Sequence, residues 1–139
     1  MGTDFTSLPT WVLSSAASRA HQVLHASLGR AGVTGYEFRC LSALASTERL
    51  SQTELGEAAA LDPRDVTHTV RALESRGLVS RVKDPGHGRR QLVSLTAEGR
   101  VEGERAAEAI TEAQEAAFGG LTGEERTALL ALLDRVARG

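Results

Sequence analysis

The sequence predicts a mostly α-helical chain that carries one small β-hairpin. Three observations lead there. Apolar residues recur at spacings of three and four over most of the chain, the period of a helix with one buried face. Several of these stretches open on Ser or Thr with Glu three positions later, the pattern that caps a helix start. One run alternates apolar and polar residues around a Gly-rich turn, as two paired strands do. Three Phe, one Tyr and one Trp among 139 residues leave a core built from Ala, Leu and Val. Small side chains of that kind suit closely packed helices.

Taken in order, Pro9 and Thr10 precede a helix over about 10–29, with Leu13, Ala17, Ala20, Leu24 and Leu28 on its apolar face. Gly29 and Gly32 are expected to break it. Thr34 with Glu37 forms a capping box for a second helix to about Ser46. Ser51 with Glu54 forms another, for a short helix through Ala59. Asp62 caps a fourth helix, and Pro63 sits at its first position, where a missing N–H costs nothing. Val66, Val70 and Leu73 face inward, and Gly77 supplies the left-handed residue that ends the helix. The run Leu78–Lys83, the turn Asp84-Pro-Gly-His-Gly88 and the run Gln91–Leu95 read as two antiparallel strands. Thr96 caps a long helix to about Phe118. Thr122 with Glu125 opens a last one to about Ala137.

Two short helices separated by Ala60-Leu61 and followed at once by a hairpin make a winged helix-turn-helix. The second of the two helices is narrow enough to enter a DNA major groove. Its outward residues are Arg64, Asp65, Thr67, His68 and Arg71, types that read base edges. Ser51, Gln52 and Thr53 open the first helix, where donors and the helix dipole suit a phosphate. Arg89 and Arg90 tip the wing and are expected to reach an adjacent minor groove.

The formal net charge of −2 argues weakly against a polyanion partner, but its distribution argues the other way. Residues 64–90 hold seven basic residues against three acids, whereas residues 97–139 hold nine acids against five Arg. Segregation of this kind fits a polyanion-binding face, here for double-stranded DNA, and fits equally a solvated helix pair with chance clustering. The lobe is expected over about 47–96 of one domain spanning 1–139. The amphipathic helices over about 10–30 and 97–138 are left for dimerisation. A two-fold dimer would set two reading helices about 34–36 Å apart, one DNA turn, and so favour a pseudo-palindromic site.

Other classes find little support. There is no phosphate-cradling Gly loop, no GxSxG and no HExxH, so an enzyme is not expected. The four His include one i,i+4 pair, His21 and His25, too few ligands for a metal. No cofactor is expected. No apolar run is long enough to span a membrane, and the N-terminus lacks an export signal. With one cysteine, Cys40, a reducing cytoplasm fits best. A helical protein-interaction module that binds no DNA is the competing class.

Leu73-Glu-Ser-Arg-Gly-Leu-Val79, Asp84-Pro-Gly-His-Gly-Arg89 and Leu92-Val-Ser-Leu-Thr-Ala-Glu-Gly99 together resemble the MarR family of bacterial transcriptional regulators. Ser51-Gln-Thr-Glu-Leu55 and Gly32-Val-Thr-Gly-Tyr-Glu-Phe38 also fit, so the resemblance covers nearly the whole chain. It implies a homodimeric winged-helix regulator. Such a protein is usually a repressor, with an activator as the alternative, and is often released by a small aromatic or phenolic ligand or by oxidation. His87 stands where the wing of such proteins usually has an acid. Family members that sense uric acid carry an acid where Arg39 stands and an Arg where His68 stands, so that subgroup is set aside.

The resemblance also implies an effector pocket between the dimerisation helices and the DNA-binding lobe. Trp11, Arg19, His21 and Arg39 are its candidates: an Arg for a carboxylate, a His for hydroxyls, an aromatic wall. His21 falls on the apolar ridge with Ala17, Leu24 and Leu28, so it reads equally as a buried histidine satisfied by a carbonyl. Cys40 lies mid-helix beside Arg39 and reads as a structural thiol rather than an oxidation sensor.

Overall fold

The structure, a computed structural model, describes residues 4–139. The first three residues, part of the start in which no export signal was read, lie outside it. A 3₁₀ turn at Phe5–Ser7 leads into α1 (Pro9–Ala31), α2 (Gly35–Ala45), β1 (Leu50–Ser51), α3 (Gln52–Ala59) and α4 (Pro63–Ser75). There follow β2 (Val79–Asp84), β3 (His87–Leu95), α5 (Ala97–Phe118) and α6 (Gly123–Arg138). The chain is mostly helical with one small antiparallel sheet. No described helix is long and apolar enough to cross a membrane.

The expected caps form. The Thr34, Ser51 and Thr122 hydroxyls accept from the backbone N–H of Glu37, Glu54 and Glu125, and each Glu returns a carboxylate to its cap's N–H. Asp62 accepts from the Asp65 N–H, with Pro63 at the helix start. One expected break is misplaced. Gly29 lies inside α1, and Gly32 alone ends it, at φ 78° with its N–H donated to Leu28 and Gly29 carbonyls. A lone glycine costs a helix only about 1 kcal/mol, which packing outweighs.

The sheet has the order β1-β3-β2. β1, too short to show a period, was not visible in the sequence; Leu50 and Ser51 pair with Val93 and Leu92. β3 also starts earlier than expected. Asp84 pairs with His87, so the turn is confined to Pro85-Gly86, where the Asp84 carboxylate accepts the Gly86 N–H at 2.9 Å. Lys83 pairs with Gln91, which leaves Gly88, Arg89 and Arg90 out of register as a bulge.

One apolar core runs through the lobe and onto the long helices. Cys40, Leu41, Leu44, Leu55, Val70, Leu73 and Val93 are fully buried, and Ala106 of α5 joins them. The start of α5 lies very close to the Gly77–Leu78 segment that leads into β2. Thr96 donates its N–H to the Leu78 carbonyl at 3.1 Å and its hydroxyl to the Gly77 carbonyl at 2.6 Å. Gly99, one turn later, has no room for a side chain: a Cβ there would collide with the Leu78 carbonyl oxygen. By contrast α6 has no buried residue, and its Leu132 and Val136 are 55% and 62% exposed.

Gly99→Ala is therefore expected to cost about 3 kcal/mol, the upper end for overpacking a rigid site. At fixed protein concentration that lowers the melting midpoint by roughly 10 °C. A midpoint within a degree or two of the parent would show that α5 can slide off the strand.

Candidate nucleic-acid interface

α4 is divided cleanly into two faces. Val66, Thr69, Val70 and Leu73 are buried. Arg64, His68 and Arg71, at spacings of four and three, are exposed on the other side, and Asp65 and Thr67 are half-buried at the edge. Among the described residues Arg64 and Arg71 enter no ion pair. An exposed helix face with two uncommitted guanidinium groups and an imidazole has the donors that a major groove presents acceptors for.

The start of α3 corrects part of the expectation for Ser51, Gln52 and Thr53. Ser51 is 3% exposed and its hydroxyl is taken up by the helix cap, so it is no phosphate donor. Gln52 donates through Nε2 to the Thr67 hydroxyl at 2.9 Å, and Thr67 in turn donates to the Pro63 carbonyl at 2.7 Å. These two side chains clamp α3 to α4 instead of standing free for DNA. Thr53 remains exposed.

The wing separates its two arginines. Arg89 is exposed and unpaired among the described residues. Arg90 is not a free groove contact: its Nη2 donates to Glu54 Oε1 at 2.8 Å, and its Nε lies 3.9 Å from Asp84 Oδ2. The Ser51 N–H and hydroxyl, then Arg90, hold the Glu54 carboxyl below the usual carboxylate range. Neither acid was expected in the sequence to hold Arg90. Glu54 was legible there as a cap residue, and Asp84 as a turn residue.

Other arginines hold this lobe in place. Arg39 donates from Nε to the Ala59 carbonyl and from Nη2 to the Ala60 carbonyl, both at 2.9 Å. It thereby closes the end of α3, where Ala60 takes a left-handed φ of 55° between the two helices. Arg76 donates to Glu37 at 3.0 Å and to the Gly32 carbonyl at 2.9 Å, tying the end of α4 to the α1–α2 corner. Arg81 gives two hydrogen bonds to Glu74, which joins β2 to α4 and lowers the Glu74 pKa.

The four residues expected around an effector are not gathered. Trp11 packs edge-on against Phe5 with ring centroids 4.8 Å apart. Arg19 donates to the Ala117 carbonyl at the end of α5. Arg39 is committed to the α3 terminus. His21 is exposed, not buried on the apolar ridge, and lines an open groove with His25 and Leu24. A different cavity, of about 200 Å³, lies where α2, the end of β3 and α5 meet. Phe38, Leu41 and Leu95 supply apolar wall; Ser42, Arg100 and Glu104 supply polar groups. In sequence Arg100 and Glu104 look like an ordinary surface pair on a charged helix, so only the packing of α5 against α2 reveals them. No group of three or more possible metal ligands occurs among the described residues.

A helix that exposes Arg64, His68 and Arg71, braced by a second helix and followed by a wing, defines a winged helix-turn-helix DNA-binding protein. Comparison with known proteins agrees. The family model described as MarR family matches residues 31–90. The HTH-type transcriptional repressor Rv2887 of Mycobacterium tuberculosis is 31% identical over 111 residues, 80% of this chain and 80% of that protein. The solved structure of a probable transcriptional regulator from Pseudomonas aeruginosa has a TM-score of 0.82 at 31% identity, over 96% of this chain and 99% of its own. That of BpsR from Bordetella bronchiseptica, whose DNA binding is regulated by 6-hydroxynicotinic acid, has a TM-score of 0.85 at 26% identity, over 100% of this chain and 99% of its own. The chain belongs to the MarR family of transcriptional regulators.

Cys40 of α2 has no exposed surface, and burial pushes its thiol up to about 11, against a smaller opposing pull from Arg39. A thiol raised in the folded state favours folding below its ordinary value near 9, and that contribution is lost as pH rises towards 11. Ellman's reagent at pH 8 is expected to label Cys40 only after denaturation; rapid labelling of the native protein would show it accessible.

Proposed function

We propose that the protein is a homodimeric repressor, acting in the cytoplasm on a pseudo-palindromic operator and released from it by a small aromatic acid. The observation that carries the reading is the exposed face of α4, Arg64, His68 and Arg71, with the uncommitted Arg89 on the wing. The rest of the DNA-binding set expected from sequence contributes at its edge through Asp65 and Thr53. Repression follows the similar Mycobacterium tuberculosis repressor.

Dimerisation is supported by apolar surface that stays largely exposed among the described residues. Trp11, Val12 and Leu13 on α1 and Leu130, Leu132 and Val136 on α6 are all exposed. Both helices lie outside the lobe expected over about 47–96, so a second copy can cover them without obstructing α4. Apolar side chains exposed in such number at the two chain ends suit an interface between copies.

For the effector, the cavity between α2 and α5 offers an apolar slot with one cation. The Arg100 guanidinium suits a carboxylate, and Ser42 and Glu104 suit a ring hydroxyl or N–H. The regulation of BpsR by 6-hydroxynicotinic acid, a compound of this chemistry, supports the class. Coupling has a direct route. Phe38, Leu41 and Ser42 at the cavity belong to the same helix as Arg39, which grips the turn between α3 and α4. A ligand that displaces α2 would move that grip and so change the spacing of the reading helices.

The test is selection of duplexes from a randomised pool, followed by affinity measurements against salt. A palindrome with half-sites about 10 base pairs apart and an affinity falling steeply with salt are expected. Arg89→Ala is expected to weaken binding to that duplex by about 1–3 kcal/mol. No enrichment of any duplex at low salt would overturn the DNA reading. A panel of aromatic acids should contain compounds that release the duplex. Arg100→Gln should abolish release while leaving ligand-free DNA affinity unchanged; release that survives this substitution would remove the cavity from the mechanism.

A further inference from the structure

The bulge that carries Arg89 and Arg90 lacks the ladder partners that orient the rest of the hairpin. What crosses it is the side chain of Arg90. The guanidinium reaches Glu54 on α3 at 2.8 Å, and its Nε faces Asp84 on β2 at 3.9 Å. Both acids are anchored by other bonds. Glu54 Oε1 also accepts the Ser51 N–H at 2.9 Å, and the Glu54 N–H donates to the Ser51 hydroxyl at 3.1 Å. Asp84 Oδ1 accepts the Gly86 N–H and closes the hairpin turn. Arg90 therefore joins two rigid points, the first turn of α3 and the turn of the wing. Its neighbour Arg89 is exposed and unpaired among the described residues.

We propose that Glu54 and Asp84, acting through Arg90, form a latch that seats the wing on the first turn of α3 and aims Arg89 at the DNA. Arg90 is then a positioning residue and not a phosphate contact. The inference rests on the DNA-binding reading above. Glu54 and Arg90 are both well exposed. Ion pairs of that kind add little to global stability, so the latch acts on geometry: it restricts the orientations of the bulge.

The experiment measures affinity for the selected duplex as a function of salt for the full chain and for Glu54→Gln, Arg90→Ala and their double variant. Glu54→Gln keeps a side-chain acceptor for the Ser51 N–H but loses the charge. Each single variant is expected to lose about fivefold to tenfold in affinity, and the double variant no more than either, as coupled residues do. The salt slope is expected to stay that of the parent, because no phosphate contact is lost. Removal of a phosphate contact would flatten it by about 0.9. A flatter slope in Arg90→Ala, or tighter binding in Glu54→Gln, would identify Arg90 as a phosphate contact held back by Glu54 and overturn the latch. Additive losses would overturn it too.

A second readout needs no DNA. Amide hydrogen exchange over residues 84–90 is expected to speed up in both single variants, with the melting midpoint unchanged. Unchanged exchange overturns the latch whether or not DNA binds, whereas a parent protein that binds no duplex overturns only the DNA reading. If Glu54→Gln perturbs α3, Asp84→Asn carries the same measurements from the other side of the bulge.

Discussion

The close crossing of α5 over the Leu78 carbonyl sets the geometry on which the rest of this molecule depends. That one oxygen accepts the Thr96 N–H and leaves no space for a side chain at Gly99. The residue that leads into β2 and the first turn of the long helix thus share a contact with almost no slack. Everything after residue 96 is aimed from that point, including the exposed apolar surface of α6. α2, α3 and α4 before it pack into the core that this contact closes. The segment Leu73–Val79 feeds the crossing through a core leucine, an acid for Arg81, an arginine for the α1–α2 corner, and a glycine at φ 74°.

Arginine has two distinct uses in this chain. Arg39, Arg76, Arg81 and Arg90 are spent on backbone carbonyls and carboxylates inside the lobe. A planar group with five donors can close a helix terminus and meet an acid in the same pose, which the ammonium of lysine does less well. Among the described residues Arg64, Arg71 and Arg89 are left without such partners, and on the proposed function these are the ones that meet DNA. The local charge surplus of residues 64–90 is thus a poor guide to contacts when read as a total. The useful quantity is the number of cations that internal partners have not already neutralised.

The same helix that lines the cavity with Phe38, Leu41 and Ser42 braces the reading unit with Arg39. α2 is consequently the element that joins the cavity to the turn between α3 and α4. Its buried face, with Cys40, Leu41 and Leu44 fully enclosed, moves only as a body. Ser42 and Arg39 sit on this one helix, and Arg39 holds the Ala59 and Ala60 carbonyls, so no loop intervenes between the cavity and that turn.

The sequence by itself determined the elements. Helix caps at Thr34, Ser51, Asp62, Thr96 and Thr122, the left-handed glycine at 77 and the alternating run at 78–83 are local chemistry. Backbone groups near the chain's own side chains decide them, so they can be read before folding. The outward face of α4 was legible for the same reason, because helical period alone separates Arg64, His68 and Arg71 from Val66, Val70 and Leu73. Only the tertiary structure decided which polar groups are free. Ser51, Gln52, Thr67 and Arg90 have the composition of DNA contacts, but capping, the α3–α4 clamp and the wing bulge take them up. The cavity likewise could not be read from the sequence. Its walls are brought together from positions 38–45 and 95–107, and a pocket between segments so far apart exists only once the helix packing has placed them side by side.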